Sequence, residues 1–258
     1  MWSELSLSTF LIPFLTGFCF AIVLPLLGAY LRLRDEWLAA LAYSHLAAAG
    51  ALLALVIGVP PMAGGVFAAG LVAWLKRFVA TKLGGGASYA MLLLGGWAIS
   101  VLLAANHPLA ERLGHALFDG QLYFSSGELL AWVVVSSLVC SYLLKRLSRH
   151  LLLAHIYPDF FRARTKSIWS TQVGFDLLTA LTLALATMSM GVMGAFSLVF
   201  IPPWLAFRRA ADWRKGLWLT VAIGVFAYIA AFLLALGLDQ PFGPVLALVL
   251  ITIGLLIA

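Results

Sequence analysis

Long apolar stretches recur along the chain, separated by short breaks that carry nearly all of its charge. They fall at residues 8–31, 37–58, 60–78, 87–106, 128–145, 170–191, 193–207, 217–237 and 244–258. A helix needs about 20 apolar residues to cross the hydrocarbon of a bilayer. The stretches at 193–207 and 244–258 are short, so eight crossings is the alternative to nine. The pattern predicts an all-α fold: a polytopic transmembrane helical bundle forming one domain over residues 1–258. The first stretch has no basic leader and no cleavage-like site, and a second follows at once. It reads as a span and not as a signal peptide.

Two breaks are long enough to hold structure. Asn106 to Glu128, NHPLAERLGHALFDGQLYFSSGE, is amphipathic and predicts a short interfacial helix over Leu109 to Phe118. Ser148 to Trp169, SRHLLLAHIYPDFFRARTKSIW, mixes Arg and Lys with Phe160, Phe161 and Trp169. Pro suits the first turn of a helix, which places a short helix after Pro158. Such a helix either lies on the membrane surface or docks into a groove on a partner protein.

Charge sets the orientation. Basic residues cluster at Arg32 and Arg34; at Lys76, Arg77 and Lys82; at Lys145, Arg146 and Arg149; at Arg162, Arg164 and Lys166; and at Arg208, Arg209, Arg214 and Lys215. These are alternate loops of the nine-span arrangement and hold 15 of the 16 Lys and Arg residues, Arg112 being the other. Cytoplasmic loops concentrate Lys and Arg, so the N-terminus is outside and the C-terminus cytoplasmic. Dropping a mid-chain span would break the alternation. The net charge of +6 therefore reports topology. It forms no groove-sized basic face, and nucleic acid is not a predicted partner. Composition agrees: 64% of residues are hydrophobic and 10% charged, against about 45–50% and 25% in soluble domains.

Recognisable catalytic motifs are missing. The chain has no phosphate-binding G-x-x-x-x-G-K-[ST], no H-E-x-x-H, no C-x-x-C and no G-x-S-x-G. Gly84 to Gly86 lacks the Lys and Ser/Thr of a phosphate loop and reads as a turn. Cys19 and Cys140 lie within spans and read as small core residues. Met188, Met190 and Met193 suit soft metal ions, but packing is the favoured reading. The small residues of AGGVFAAG and LLGGW predict closely approaching helices. Two ionisable residues stand out within spans, His45 in the second and Asp176 in the sixth. Such groups usually face a bundle interior or a polar path. A neutral imidazole can bind a metal through one nitrogen, or simply hydrogen-bond to a neighbouring helix. Asp176 can line a cation path or pair with a cytoplasmic Arg.

Three motifs carry a resemblance. SHLAAAG keeps His45 and, five residues later, Gly50; SLVFIPPWLAFRR keeps Pro202; and DQPFGPVL keeps Asp239, Pro241, Gly243 and Pro244. LFDGQL, Leu117 to Leu122, is similar to a fourth family motif with two residues exchanged. In these features, over about residues 16–257, the chain resembles the membrane permease subunits of bacterial zinc and manganese ABC importers, distant relatives of siderophore and cobamide permeases. The resemblance implies an ABC importer permease architecture in the bacterial cytoplasmic (inner) membrane, acting as a homodimer around a central pathway. It implies cytoplasmic ABC ATPase subunits, and a periplasmic or lipoprotein metal-binding protein outside. It implies that zinc or manganese is cargo, with no permanently bound cofactor and no ATP hydrolysis on this chain. His45 then faces the pathway, with Asp176 the clear intramembrane carboxylate. Pro158, Asp159, Phe160, Phe161, Arg162 and Arg164 then form the ATPase coupling segment. The family's Gly-Asp before the His is replaced by Ala40 and Leu41. An imidazole without that carboxylate points toward a different metal, or a metal whose chelator supplies the charge. The alternatives are a permease for a larger chelate such as a siderophore, or a secondary transporter without an ATPase, for which an internal repeat is missing.

Overall fold

The computed structural model describes the backbone of residues 7–83, 85–157 and 165–257. Among the described residues nine helices follow in order: α1 (Leu7–Leu33), α2 (Trp37–Val56), α3 (Pro61–Leu83), α4 (Gly85–Asn106), α5 (Pro108–Asp119), α6 (Gly127–Ile156), α7 (Thr165–Arg209), α8 (Trp213–Leu238) and α9 (Phe242–Ile257), with one 3-10 turn at Leu122–Phe124. No strand occurs among the described residues. Among the described residues six helices are long and apolar enough to cross a membrane, and two shorter apolar ones lie at Pro61–Lys76 and Phe242–Leu256.

α7 accounts for two of the predicted spans. Its helical geometry breaks at Gly191, with φ 79° and ψ 164°. Before the break, the Phe175 ring meets Arg34 at 4.9 Å; after it, the Phe207 ring meets Arg32 at 5.0 Å. Both arginines sit at the inner end of α1, so the chain doubles back at Gly191. The stretches predicted at 170–191 and 193–207 are the two arms of this hairpin. The expected interfacial helix is α5, one residue longer at each end. α6 runs eleven residues beyond the predicted 145, to Ile156. LLLAHI continues the apolar pattern there, and helix is disfavoured only at Tyr157, the residue before Pro158.

The core forms where α2 and α7 meet. α2 packs on α3, α4 and α7, and α7 also contacts α1, α8 and α9. α4, α6, α8 and α9 instead expose large apolar side chains such as Leu102, Leu138, Phe226 and Leu255. An outward apolar belt suits lipid.

Hydrocarbon solvent gives helices little hydrophobic reason to associate, so close packing must do it. The prolines make this visible. Pro203 cannot donate to the carbonyl of Val199, nor Pro25 to that of Ala21. A carbonyl freed in this way is costly in a membrane unless a neighbour covers it. Gly28 of α1 lies directly against Val199 O and Pro203; Gly224 of α8 lies against Ala21 O and Pro25. In each case a helix presents a glycine to the carbonyl that a proline has freed. Gly50 and Gly64 bring α2 and α3 equally close, each set against the other's carbonyl oxygen, with no proline involved.

A Cβ on Gly224 would lie 2.5 Å from Pro25 Cγ and 2.9 Å from Ala21 O, whereas Gly254 faces open space. Gly224→Val should therefore destabilise the chain by about 1–3 kcal/mol, the usual cost of overpacking. Gly254→Val should have almost no effect. Thermal melting of both variants in detergent checks this; equal melting would refute the close approach.

Candidate translocation site

The inner end of the bundle holds a square of four charges. Arg34, in the turn after α1, and Glu36, before α2, pair at 2.8 Å. Arg34 also reaches Asp176 of α7 at 3.1 Å. Lys76 of α3 reaches Glu36 and Asp176, both at 3.0 Å. Two cations and two anions cancel. Lys76 and Asp176 are 8% and 6% exposed, so this is a buried cluster. Aromatic faces complete it: Arg34 stacks on Phe175, and Lys76 lies 4.7 Å from the centre of the Tyr89 ring. Tyr43 meets Tyr89 edge to face. Burial works to lower the pKa of Arg34, but Asp176 and Glu36 outweigh it and hold the guanidinium above its ordinary value.

His45 stands apart from this cluster. It is nine residues beyond Glu36, about 13 Å along the helix at 1.5 Å per residue, which places it near the middle of the bilayer. The residue is 4% exposed, and its Nδ1 is buried without a hydrogen-bond partner. Its ring lies against Phe118 of α5, with centroids 5.6 Å apart. On its other side Gly96 lets α4 come so close that a Cβ there would sit 2.9 Å from the His45 carbonyl carbon. Leu41, one turn back, joins Ala48, Leu52, Leu117, Phe118, Val192 and Met188 in a separate apolar cluster. The imidazole is therefore held in an apolar surround at the junction of α2, α4 and α5. Among the described residues no three His, Cys, Asp or Glu side chains gather as a metal site.

At the outer end three glycines bring three segments together. Gly120, just after α5, lies against Met190 O. A Cβ on Gly191 would come within 2.7 Å of Phe118 O, and one on Gly243 within 2.6 Å of Asp119 O. Gly120 and Gly191 have φ of 83° and 79°, which favours glycine. Asp239 closes α8 in the left-handed conformation, φ 52°. Pro241, Gly243 and Pro244 start α9 from there. The apolar cleft between α8 and α9, about 540 Å³, is lined by Pro241 and Pro244 among others.

With this geometry in place the chain can be set beside known proteins. A model of the ABC 3 transport family matches residues 7–258. The chain belongs to that family. It is a multi-pass membrane transport subunit, an ABC permease. It is 26% identical over 234 residues to a Haemophilus influenzae protein named as an iron transport system membrane protein, covering 89% of this chain and 85% of that one. It is 25% identical to the chelated iron transport system membrane protein YfeD of Yersinia pestis, covering 88% and 77%. Its fold is similar to that of PsaBC from Streptococcus pneumoniae in complex with Fab, at TM-score 0.83 and 16% identity over 97% of this chain and 91% of that one. It is also similar to a transporter assigned to the metal-chelate ABC type, in an inward-facing conformation, at TM-score 0.70 and 21% identity over 95% and 82%.

The sequence-derived residues separate into three groups. His45 and Asp176 are not brought together: both Asp176 oxygens face cations, while His45 faces an aromatic ring. Gly50 lies at a helix crossing, Asp239, Pro241, Gly243 and Pro244 lie at helix ends, and Pro202 is inside the second arm of α7. Pro158, Asp159, Phe160, Phe161, Arg162 and Arg164 lie outside the described residues. The methionines divide: Met190 is fully buried, Met188 packs beside Leu41, and Met193 is exposed. Sequence reading missed Lys76, taken there as a loop residue. Its position inside the predicted span 60–78 was the available signal.

Breaking a buried ion pair costs about 3–5 kcal/mol, whereas replacing the whole pair with apolar groups is often neutral. Asp176→Asn leaves two cations to Glu36 alone and should destabilise by that amount. Lys76→Met combined with Asp176→Leu leaves the neutral Arg34–Glu36 pair and should restore most of the loss. Melting curves of the single and double variants measure the coupling; additive losses would show that Lys76 and Asp176 do not act as a pair.

Proposed function

We propose that this chain works as one membrane domain, in a homodimeric permease of the bacterial inner membrane, and carries a transition-metal ion inward, bare or in a complex. What supports the reading most directly is His45: a mid-membrane imidazole whose Nδ1 has no protein partner, on a helix held by closely packed neighbours. Imidazole suits zinc, iron and other borderline divalent ions, and a ligand nitrogen must be unprotonated to take one. Relatives named for iron and for chelated iron transport support metal cargo. The family resemblance adds zinc and manganese. Leu41 supplies no charge to offset a bare cation, which favours a partly compensated complex or a loosely held ion.

The remaining parts of the machine are proposed with it. Separate cytoplasmic ATPase subunits hydrolyse ATP, since no phosphate-binding motif occurs in this chain. They dock on the segment from Pro158 to Arg164. A periplasmic or lipoprotein metal-binding protein delivers cargo to the outer face. Asp176 serves the pathway as counter-ion to Arg34 and Lys76 and does not ligate the ion itself.

His45→Ala should cut metal uptake by tenfold or more in cells while membrane expression stays near normal. Leu41→Asp, one helical turn away on the same face, should retain Zn²⁺ or Mn²⁺ more tightly in the purified chain. Uptake unchanged in His45→Ala together with no added binding in Leu41→Asp would remove this face of α2 from the pathway.

A further inference from the structure

We infer that α5 carries a metal-capture stripe on the outer face of the membrane, in which His107, Glu111, His115 and Asp119 hold a divalent transition cation in imidazole–carboxylate pairs. Glu111, His115 and Asp119 recur at every fourth position of the helix, and His107, four residues before Glu111, caps its N-terminus with extended backbone. Four residues turn an α-helix by about 400°, so they form one gently curving stripe. The buried residues of α5 are Ala110, Gly114, Ala116 and Leu117, none of them in the stripe. Glu111, His115 and Asp119 are exposed and His107 is half-buried.

These side chains are uncommitted. Among the described residues none of the four has a side-chain hydrogen bond or ion pair, and His107 Nδ1 is buried without a partner. Arg112 is the single basic residue of α5. It neighbours Glu111 directly and so does not face it on the helix surface. An amphipathic helix that merely needed a solvated face would be served by any polar residues. Here the positions alternate between imidazole and carboxylate, the two ligand types that zinc, iron and manganese share.

The spacing also fixes the strength. Side chains four apart have Cβ atoms about 5–6 Å apart, a gap that two bonds of about 2.0–2.2 Å can bridge. Residues eight apart are separated by about 12 Å along the axis. Three ligands therefore cannot converge, in keeping with the lack of any three-residue cluster. Two-ligand sites completed by water hold an ion briefly and pass it on. The stripe ends at Asp119, next to Phe118, whose ring rests on His45. The identity of the cargo rests on the proposed transport function; the binding itself does not.

The test uses the purified full chain in detergent with His45→Ala, so that the buried imidazole does not contribute. Zn²⁺ is titrated calorimetrically into this chain, into the same chain with Glu111→Gln and His115→Asn, and into it with Arg112→Ala. Both ligand positions are exposed, and gel filtration with circular dichroism confirms folding. The expected result is measurable Zn²⁺ binding that weakens at least tenfold in the Glu111→Gln/His115→Asn chain and holds or tightens with Arg112→Ala. Failure to bind Zn²⁺, or equal binding in all three chains, or an equal loss with Arg112→Ala, would overturn the stripe. Unchanged uptake in His45→Ala would count against the proposed pathway and leave this result standing.

Discussion

The cancellation of charge at the inner end of the bundle governs the rest of the molecule. An isolated Lys or Asp at membrane depth is expensive and is normally paired. Arg34, Glu36, Lys76 and Asp176 solve this by meeting in one place, drawn from the α1–α2 turn, from α3 and from α7. The cluster pins three segments together beneath the span that carries His45. It also commits the intramembrane carboxylate. With Asp176 held between two cations, the His45 imidazole packs on Phe118 without it, and any charge compensation for a cation must come from the cargo or from a partner.

Above that base, packing depends on backbone approaching backbone. Glycines of α1 and α8 cover carbonyls freed by prolines in α7 and α1, and three glycines join α5, the α7 turn and the start of α9. These contacts explain why the residues of DQPFGPVL and LFDGQL occur where they do: they end one helix, start another, and allow main chains to touch. They are architectural, and they hold Phe118 against His45. The motif that most strongly suggests the family thus sits at the outer glycine junction.

Much of the fold was legible because hydropathy and the placement of Arg and Lys are direct physical requirements of a bilayer. The spans, the orientation and the amphipathic α5 follow from them. What was not legible depended on partners distant in sequence. The place of Lys76 inside an apolar stretch hints that it is buried, but its counter-ions, Glu36 and Asp176, lie 40 and 100 residues away. The reversal at Gly191 was visible as two short apolar stretches, but its tightness comes from Gly120 and Gly243 across the junction. His45 was visible as an intramembrane imidazole, yet its neighbours Phe118 and Gly96 come from α5 and α4, and no helical periodicity within α2 announces them.

The central claim is that this scaffold moves a transition metal. Its most direct measurement is the elemental content of otherwise identical cells with and without the gene, grown under metal limitation and read by mass spectrometry for each transition metal alongside magnesium, calcium and potassium. The account predicts that losing the gene lowers at least one of iron, zinc and manganese severalfold while the others in the panel hold steady. Unchanged levels of all three metals, under conditions where the chain is expressed with its ATPase, would contradict it.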